Sequence, residues 1–145
     1  MLINYNHVYI GASLAVLIKC LFERKKTLII EKSNYLGGAW SSSNNKYKNL
    51  DLACHLLVSP SKEKSNLIIK QLKKFKINLR KINKDEFYSD TKKWKSYGKR
   101  GPALICEEGW ADMLNKVIFN LKKKGNITII KNQDVKKIEI NKQGI

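Results

Sequence analysis

The sequence predicts an α/β fold built on a parallel sheet with flanking helices. Three observations lead there. His7 to Ile10 and Thr27 to Ile30 are short β-type apolar runs, a helix-like stretch from Ala12 to about Arg24 lies between them, and Gly11 stands where the first run turns into helix. A strand, a crossover helix and a second strand form a unit whose two strands run parallel.

The first helix takes Ala12, Ala15, Leu17, Ile18, Leu21 and Phe22 as its apolar set, interrupted by Lys19 and Glu23. That pattern suits a helix buried over much of its surface against a sheet. Arg24, Lys25 and Lys26 mark its C-terminal end, where cations complement the helix dipole. Glu31 closes the second strand.

Twenty residues separate Gly11 from Glu31. A dinucleotide-binding unit needs about that spacing to set an acid beside a ribose while the pyrophosphate rests on the helix N-terminus. Against the pattern G-x-G-x-x-G the chain keeps only the first glycine, Gly11, with Ser13 and Val16 at the other two positions. Ser13 adds a Cβ where backbone should approach a phosphate, though its hydroxyl can donate to one. Gly11 alone would serve any strand-to-helix turn.

Downstream, with five residues between it and Glu31, stands the pair Gly37-Gly38. With Gly11 and Glu31, this spacing resembles the superfamily of FAD-dependent amine oxidases, protoporphyrinogen oxidases, phytoene desaturases and UDP-galactopyranose mutases. The resemblance implies a Rossmann-like FAD-binding domain in which Glu31 holds the adenosine ribose, and Gly37 and Gly38 let the backbone pass close to the cofactor. It extends the set of cofactor contacts to Gly11, Ser13, Leu14, Ala15, Lys32, Ala39, Trp40 and Val135. Ala39 stands where the family commonly has an Arg, so one expected contact is missing.

Ser41 to Asn49 is polar and reads as loop. The run Leu50 to Leu57 follows, and by the same resemblance approaches the flavin, with Ala53 at a usual glycine position. Two readings fit His55: a proton-handling group over the flavin ring, or a structural histidine donating to a backbone carbonyl. His7 reads as structural, and no residue is assigned as the catalyst.

Ser61 is placed to cap a helix running to Phe75, with Ile68, Leu72 and Phe75 on one face. Lys76 to Pro102 mixes Phe87, Tyr88, Trp94 and Tyr97 with Lys and Asp in no clear period, and reads as short strands and loops of an inserted, partial substrate domain. From Trp110, the residues Met113, Leu114, Val117, Ile118 and Leu121 form the cleanest amphipathic stripe in the chain. Lys122 to Lys124 and a C-capping Gly125 end it. Strands are expected at Ile127 to Ile130 and Val135 to Ile140, and in the resemblance the Val135 backbone meets the adenine.

The resulting organisation is a βαβ core with the glycine pair over 1–59, a partial substrate or cap region over 60–105, and a return to the FAD-binding domain over 106–145. Asn141 to Gly144 has hairpin-turn composition with only Ile145 beyond it. The sequence therefore reads as a truncated N-terminal portion, whose C-terminal half would come from a longer frame or a separate chain.

Composition bounds the function classes. At 145 residues with 43% apolar content, the chain suits one globular domain. The net charge of +17 comes almost wholly from lysine spread along the chain, alongside abundant Asn and Ile, with no nucleic-acid motif. Trp94 and Tyr97 among lysines are the one hint of a single-strand platform. Cys20, Cys54 and Cys106 form no CxxC pair and predict neither disulfides nor a metal site, as in a reduced cytoplasmic compartment. Val8 to Phe22 is too short, and too interrupted by Lys19, to span a membrane.

The expected function is thus the FAD-binding part of a flavin-dependent oxidoreductase acting on a small-molecule substrate by hydride transfer to the flavin. A UDP-galactopyranose mutase-like isomerase and a non-enzymatic binding module are the alternatives.

Overall fold

A computed structural model describes residues 4–41, 57–58, 61–82 and 102–139. Within them three parallel strands form one sheet: β1 (His7–Ile10), β2 (Thr27–Ile30) and β6 (Ile127–Ile130), with β2 in the middle. His7 pairs with Thr27, and Thr27 in turn with Ile127, so the three strands end level at Ile10, Ile30 and Ile130. Between β2 and β6 the chain builds β3 (Leu57–Val58), α2 (Lys62–Lys73), β4 (Leu79–Lys81) and β5 (Ala103–Cys106), and then α3 (Trp110–Lys122). The strands β3, β5 and β4 form a separate antiparallel sheet with β5 central.

The arrangement is Rossmann-like: α1 (Leu14–Phe22) crosses from β1 to β2, and α3 leads into β6. The two helices pack on each other and over one face of the parallel sheet, where Thr27 and Ile29 are fully buried. Leu17, Cys20 and Leu21 of α1 meet Met113, Val117 and Leu121 of α3 in that layer. Each such leucine contributes about 2 kcal/mol through removal of its side chain from water. The opposite sheet face is open in the described residues, with Val8 and Ile10 each 54% exposed.

One core joins both sheets. Leu72, Ile77, Leu79, Leu104 and Cys106 belong to the same buried cluster as the α1 and α3 residues. The rings of Phe22 and Phe75 meet edge to face at 5.3 Å between centroids. Asn120 Nδ2 of α3 donates to the Phe75 carbonyl at 3.3 Å across the joint, while within the parallel layer Lys124 Nζ donates to the Leu21 carbonyl at 3.0 Å and Asn126 Nδ2 to the carbonyls of Glu23 and Lys25. His7 Nε2 lies 3.6 Å from Glu23 Oε2, tying β1 to the end of α1 and giving the histidine a structural place.

Several boundaries differ from the expectation. α1 starts at Leu14 rather than Ala12, because Ser13 is its N-cap and accepts from the Val16 N–H. α2 stops at Lys73, short of Phe75, and the turn that follows puts Lys76 at φ 60°. Gly125 is not the helix cap: α3 closes at Lys123 in right-handed geometry, whose N–H reaches back to Asn120 and Leu121. Residues 131–139 form no strand, so the one expected from Val135 to Ile140 is absent as far as Glu139. Asn132 turns the chain at φ 58°, and Lys136 to Glu139 are all exposed with no neighbouring strand among the described residues to pair with them. Ala53, Cys54, His55, Trp94 and Tyr97 lie outside the described residues.

Gly37 and Gly38 owe their identity to different causes. A Cβ on Gly37 would come within 2.6 Å of a Leu114 methyl, and its φ is 99°, whereas Gly38 at φ 58° has nothing within 4 Å of that position. Gly37→Ala therefore combines overpacking against α3 with a disfavoured backbone, and should cost about 3 kcal/mol. Gly38→Ala carries the backbone cost alone, about 1 kcal/mol. Urea unfolding of the two variants should rank them in that order; equal losses would contradict the packing role of Gly37.

Candidate functional site

The parallel strands end where α1 begins, and that end of the sheet gathers most of the residues singled out by sequence. Gly11 follows β1 directly with φ 91°, a conformation that glycine adopts without strain, and its N–H donates to the Ile30 carbonyl at 2.7 Å. The turn brings Ala12 back toward β2. There the Ala12 N–H donates to Glu31 Oε2 at 2.7 Å, and the Ser33 N–H donates to Glu31 Oε1 at 2.9 Å.

These two donors, Ala12 first, hold the Glu31 carboxyl below its ordinary value; partial burial opposes them without winning. The group is thus a carboxylate at neutral pH, fixed in direction by backbone on both sides. Each of its oxygens keeps a further lone pair for a hydroxyl donor.

The segment after Glu31 folds over the helix start. The Gly37 N–H donates to the Ala12 carbonyl at 2.8 Å, and Ser13 and Gly37 form a parallel bridge. Gly37 itself is buried, and a side chain there would meet Leu114. Gly38 and Ala39 are exposed beyond it, in a short 3-10 turn that ends at Trp40. Trp40 stacks edge to face on Trp110 at the start of α3, with centroids 4.7 Å apart.

The remaining candidates separate by exposure. Ser13 and Ala15 are exposed at the α1 N-terminus, while Leu14 is 3% exposed and points into the core, leaving only its main chain for any ligand. Lys32 is exposed next to Glu31. Val135 lies in the irregular segment after β6, which is anchored to this site by bonds from the Gln133 N–H to the Glu31 carbonyl and from the Asn132 N–H to the Ser33 carbonyl. The structure therefore brings the glycine turn, Ser13, Glu31 and the glycine pair together, and leaves His55 outside the described residues.

Sequence reasoning missed Ala12 and Ser33, whose N–H groups orient Glu31, and Leu114, which packs where a side chain on Gly37 would stand. Main-chain donors carry no residue signature, and the Leu114 contact is long-range. Ser33 alone had a local cue, two residues after an acid.

The residues fit a nucleotide's sugar and phosphate chemistry. A helix N-terminus with its partial positive charge faces an exposed turn, and an ionised acceptor lies beside it. Among the described residues, no group of His, Cys, Asp and Glu has metal-binding geometry. No helix is long and apolar enough to cross a membrane among them.

Glu31 also sets a pH dependence. Its folded pKa is lowered, so its contribution to stability is complete above the ordinary value of 4.5 and is lost as pH falls through the lower folded value. Glu31→Gln keeps one acceptor and loses the charge, which should cost about 1 kcal/mol at pH 7 after allowance for solvent screening. The gap between the two proteins should close below pH 4.5; urea unfolding at pH 7, 5 and 3.5 checks this, and a gap that stays constant would show that the carboxylate charge is irrelevant.

No protein-family model and no curated protein sequence matches the chain. Among solved structures, the crystal structure of Thermovibrio ammonificans THI4 aligns with 88% of this chain and 38% of its own, at 13% identity and a TM-score of 0.48. The chain thus spans well under half the length of that protein.

Proposed function

We propose that the chain is the FAD-binding portion of a flavin-dependent oxidoreductase of the amine oxidase and desaturase type. The observation that supports this most is the Glu31 carboxylate held at 2.7 Å from the Ala12 N–H, which sets a strand-end acid directly beside the glycine turn and the start of α1. In that reading the ribose hydroxyls donate to Glu31, whose ionised state suits an acceptor role. The pyrophosphate lies against Gly11, Ser13 and the backbone of Leu14 and Ala15, where the helix dipole and the overall charge of +17 favour an anion.

Gly38, Ala39 and Trp40 form the far rim, and the Trp40–Trp110 contact gives that rim a rigid aromatic edge. Lys32 and the main chain of Val135 border the adenine end. When bound, FAD supplies a ring that accepts a hydride from a substrate carbon. This chain's own part is to bind and orient the nucleotide. The substrate domain and the partner that would complete the cofactor's enclosure belong to the same proposal, as does a small-molecule substrate.

Titration of the purified chain with FAD, followed by flavin fluorescence and absorbance, tests the reading. Binding should be competed by ADP, which shares the ribose and pyrophosphate, and Glu31→Ala should weaken FAD by on the order of tenfold or more, the loss of a hydrogen bond to a charged group. A chain that ignores added FAD and ADP, or a Glu31→Ala variant that binds as well as the parent, would overturn it.

A further inference from the structure

On the other side of the 34–41 loop, away from the glycine turn, a cavity of about 590 Å³ lies between α3, β6 and that loop. Its origin is geometric. β6 is the edge strand of the described sheet, and its Ile127 and Ile129 remain only partly buried. α3 presents Leu114, Ile118 and Leu121 to the same space. The floor is therefore apolar from both sides.

The rim is not. Asn34, Tyr35, Ser41 and Asn115 line it together with two lysines, Lys122 at the end of α3 and Lys131 just past β6. About 13 Å of extended strand lies between the Ile127 end of the cavity, near Lys122, and the Lys131 end. Lys131 is held in place because its Nζ donates to the Asn34 carbonyl at 2.9 Å, leaving two further N–H donors on the ammonium. Lys122 has no such anchor among the described contacts. A cavity of this volume, with an apolar strip along Ile118, Ile127 and Ile129 and a polar, cationic remainder, has room for an amphiphilic small molecule.

From this geometry we infer that the cavity binds an anionic amphiphile: a carboxylate carrying an elongated apolar body. The body lies along Ile118, Ile127 and Ile129, and the carboxylate sits at the Lys131 end. No lining residue is shared with the proposed FAD contacts, so the inference stands apart from that reading. A second apolar groove, between α1 and α2 and lined by Ile18, Phe22 and Leu67 among others, is smaller at about 350 Å³ and has no charged side chain in its lining. It serves as the internal control.

Isothermal calorimetry on the full chain with dodecanoate, below its micellar concentration, tests the assignment, with dodecyltrimethylammonium as the charge-reversed probe. Dodecanoate should bind at one site per chain, and the cationic probe should bind far more weakly. Lys131→Ala, an exposed change that leaves the core intact, should weaken dodecanoate about threefold, the scale of one solvent-exposed ion pair. Ile118→Trp should abolish binding by filling the floor, and Leu67→Glu in the control groove should leave it unchanged. Equal affinity for both probes, an unchanged Lys131→Ala variant, or loss of binding in Leu67→Glu with retention in Ile118→Trp would each overturn the proposal.

Discussion

One carboxylate ties together the parts of the chain on which the candidate site depends. Glu31 accepts from the backbone of Ala12 on one side and of Ser33 on the other, so it fixes both the turn that starts α1 and the loop that leaves β2. The loop then returns to the same alanine, where the Gly37 N–H reaches the Ala12 carbonyl. Ala12 is thus held through both of its main-chain polar groups, and with it the direction in which α1 departs. Because each of these bonds joins backbone to backbone or backbone to an ion, the geometry is set by the path of the chain rather than by the choice of neighbouring side chains.

That dependence explains what the sequence made legible and what it did not. The strands His7–Ile10 and Thr27–Ile30, the stripe from Trp110 to Leu121 and the strand Ile127–Ile130 announced themselves by apolar period and by turn residues at their ends. Gly11 and Glu31 announced themselves by spacing. The pair Gly37-Gly38 was found, but the packing at its first member was not. Leu114 lies far along the chain, and its demand on Gly37 exists only once α3 has packed on the sheet. The expected strand after Asn132 failed for a related reason. Alternation of Ile138 with charged neighbours describes one half of a pairing, and a strand also needs a partner with which to share its ladder.

The two faces of the parallel sheet are unequal, and the inequality follows from connectivity. α1 and α3 lie on the same side, in contact with each other, so Thr27 and Ile29 are sealed while Val8 and Ile10 on the first strand stay half-exposed. Parallel sheets in α/β proteins bury both faces, and their strands are apolar throughout for that purpose. On the open face β1 and β2 are apolar at Val8, Ile10, Leu28 and Ile30. The apolar character of Val8 and Ile10 is therefore a property of the fold class, not a mark of a separate binding surface.

The same uneven cover shapes the far edge. A helix about 10 Å across cannot blanket three strands spaced nearly 5 Å apart when it must also pack against a neighbouring helix. α3 packs on α1, burying Met113 and Val117, and a cavity is left along Ile127 and Ile129 of β6. The loop that carries Glu31 roofs this opening through Asn34 and Leu36, and Lys131 is bonded to the loop at Asn34. One loop consequently carries the Glu31 carboxylate to the start of α1 and lines the cavity at the edge of the sheet with Asn34 and Leu36. The charges differ between the two ends: the Glu31 carboxylate accepts from backbone at the start of α1, and the Lys131 ammonium donates to the Asn34 carbonyl at the edge of the sheet.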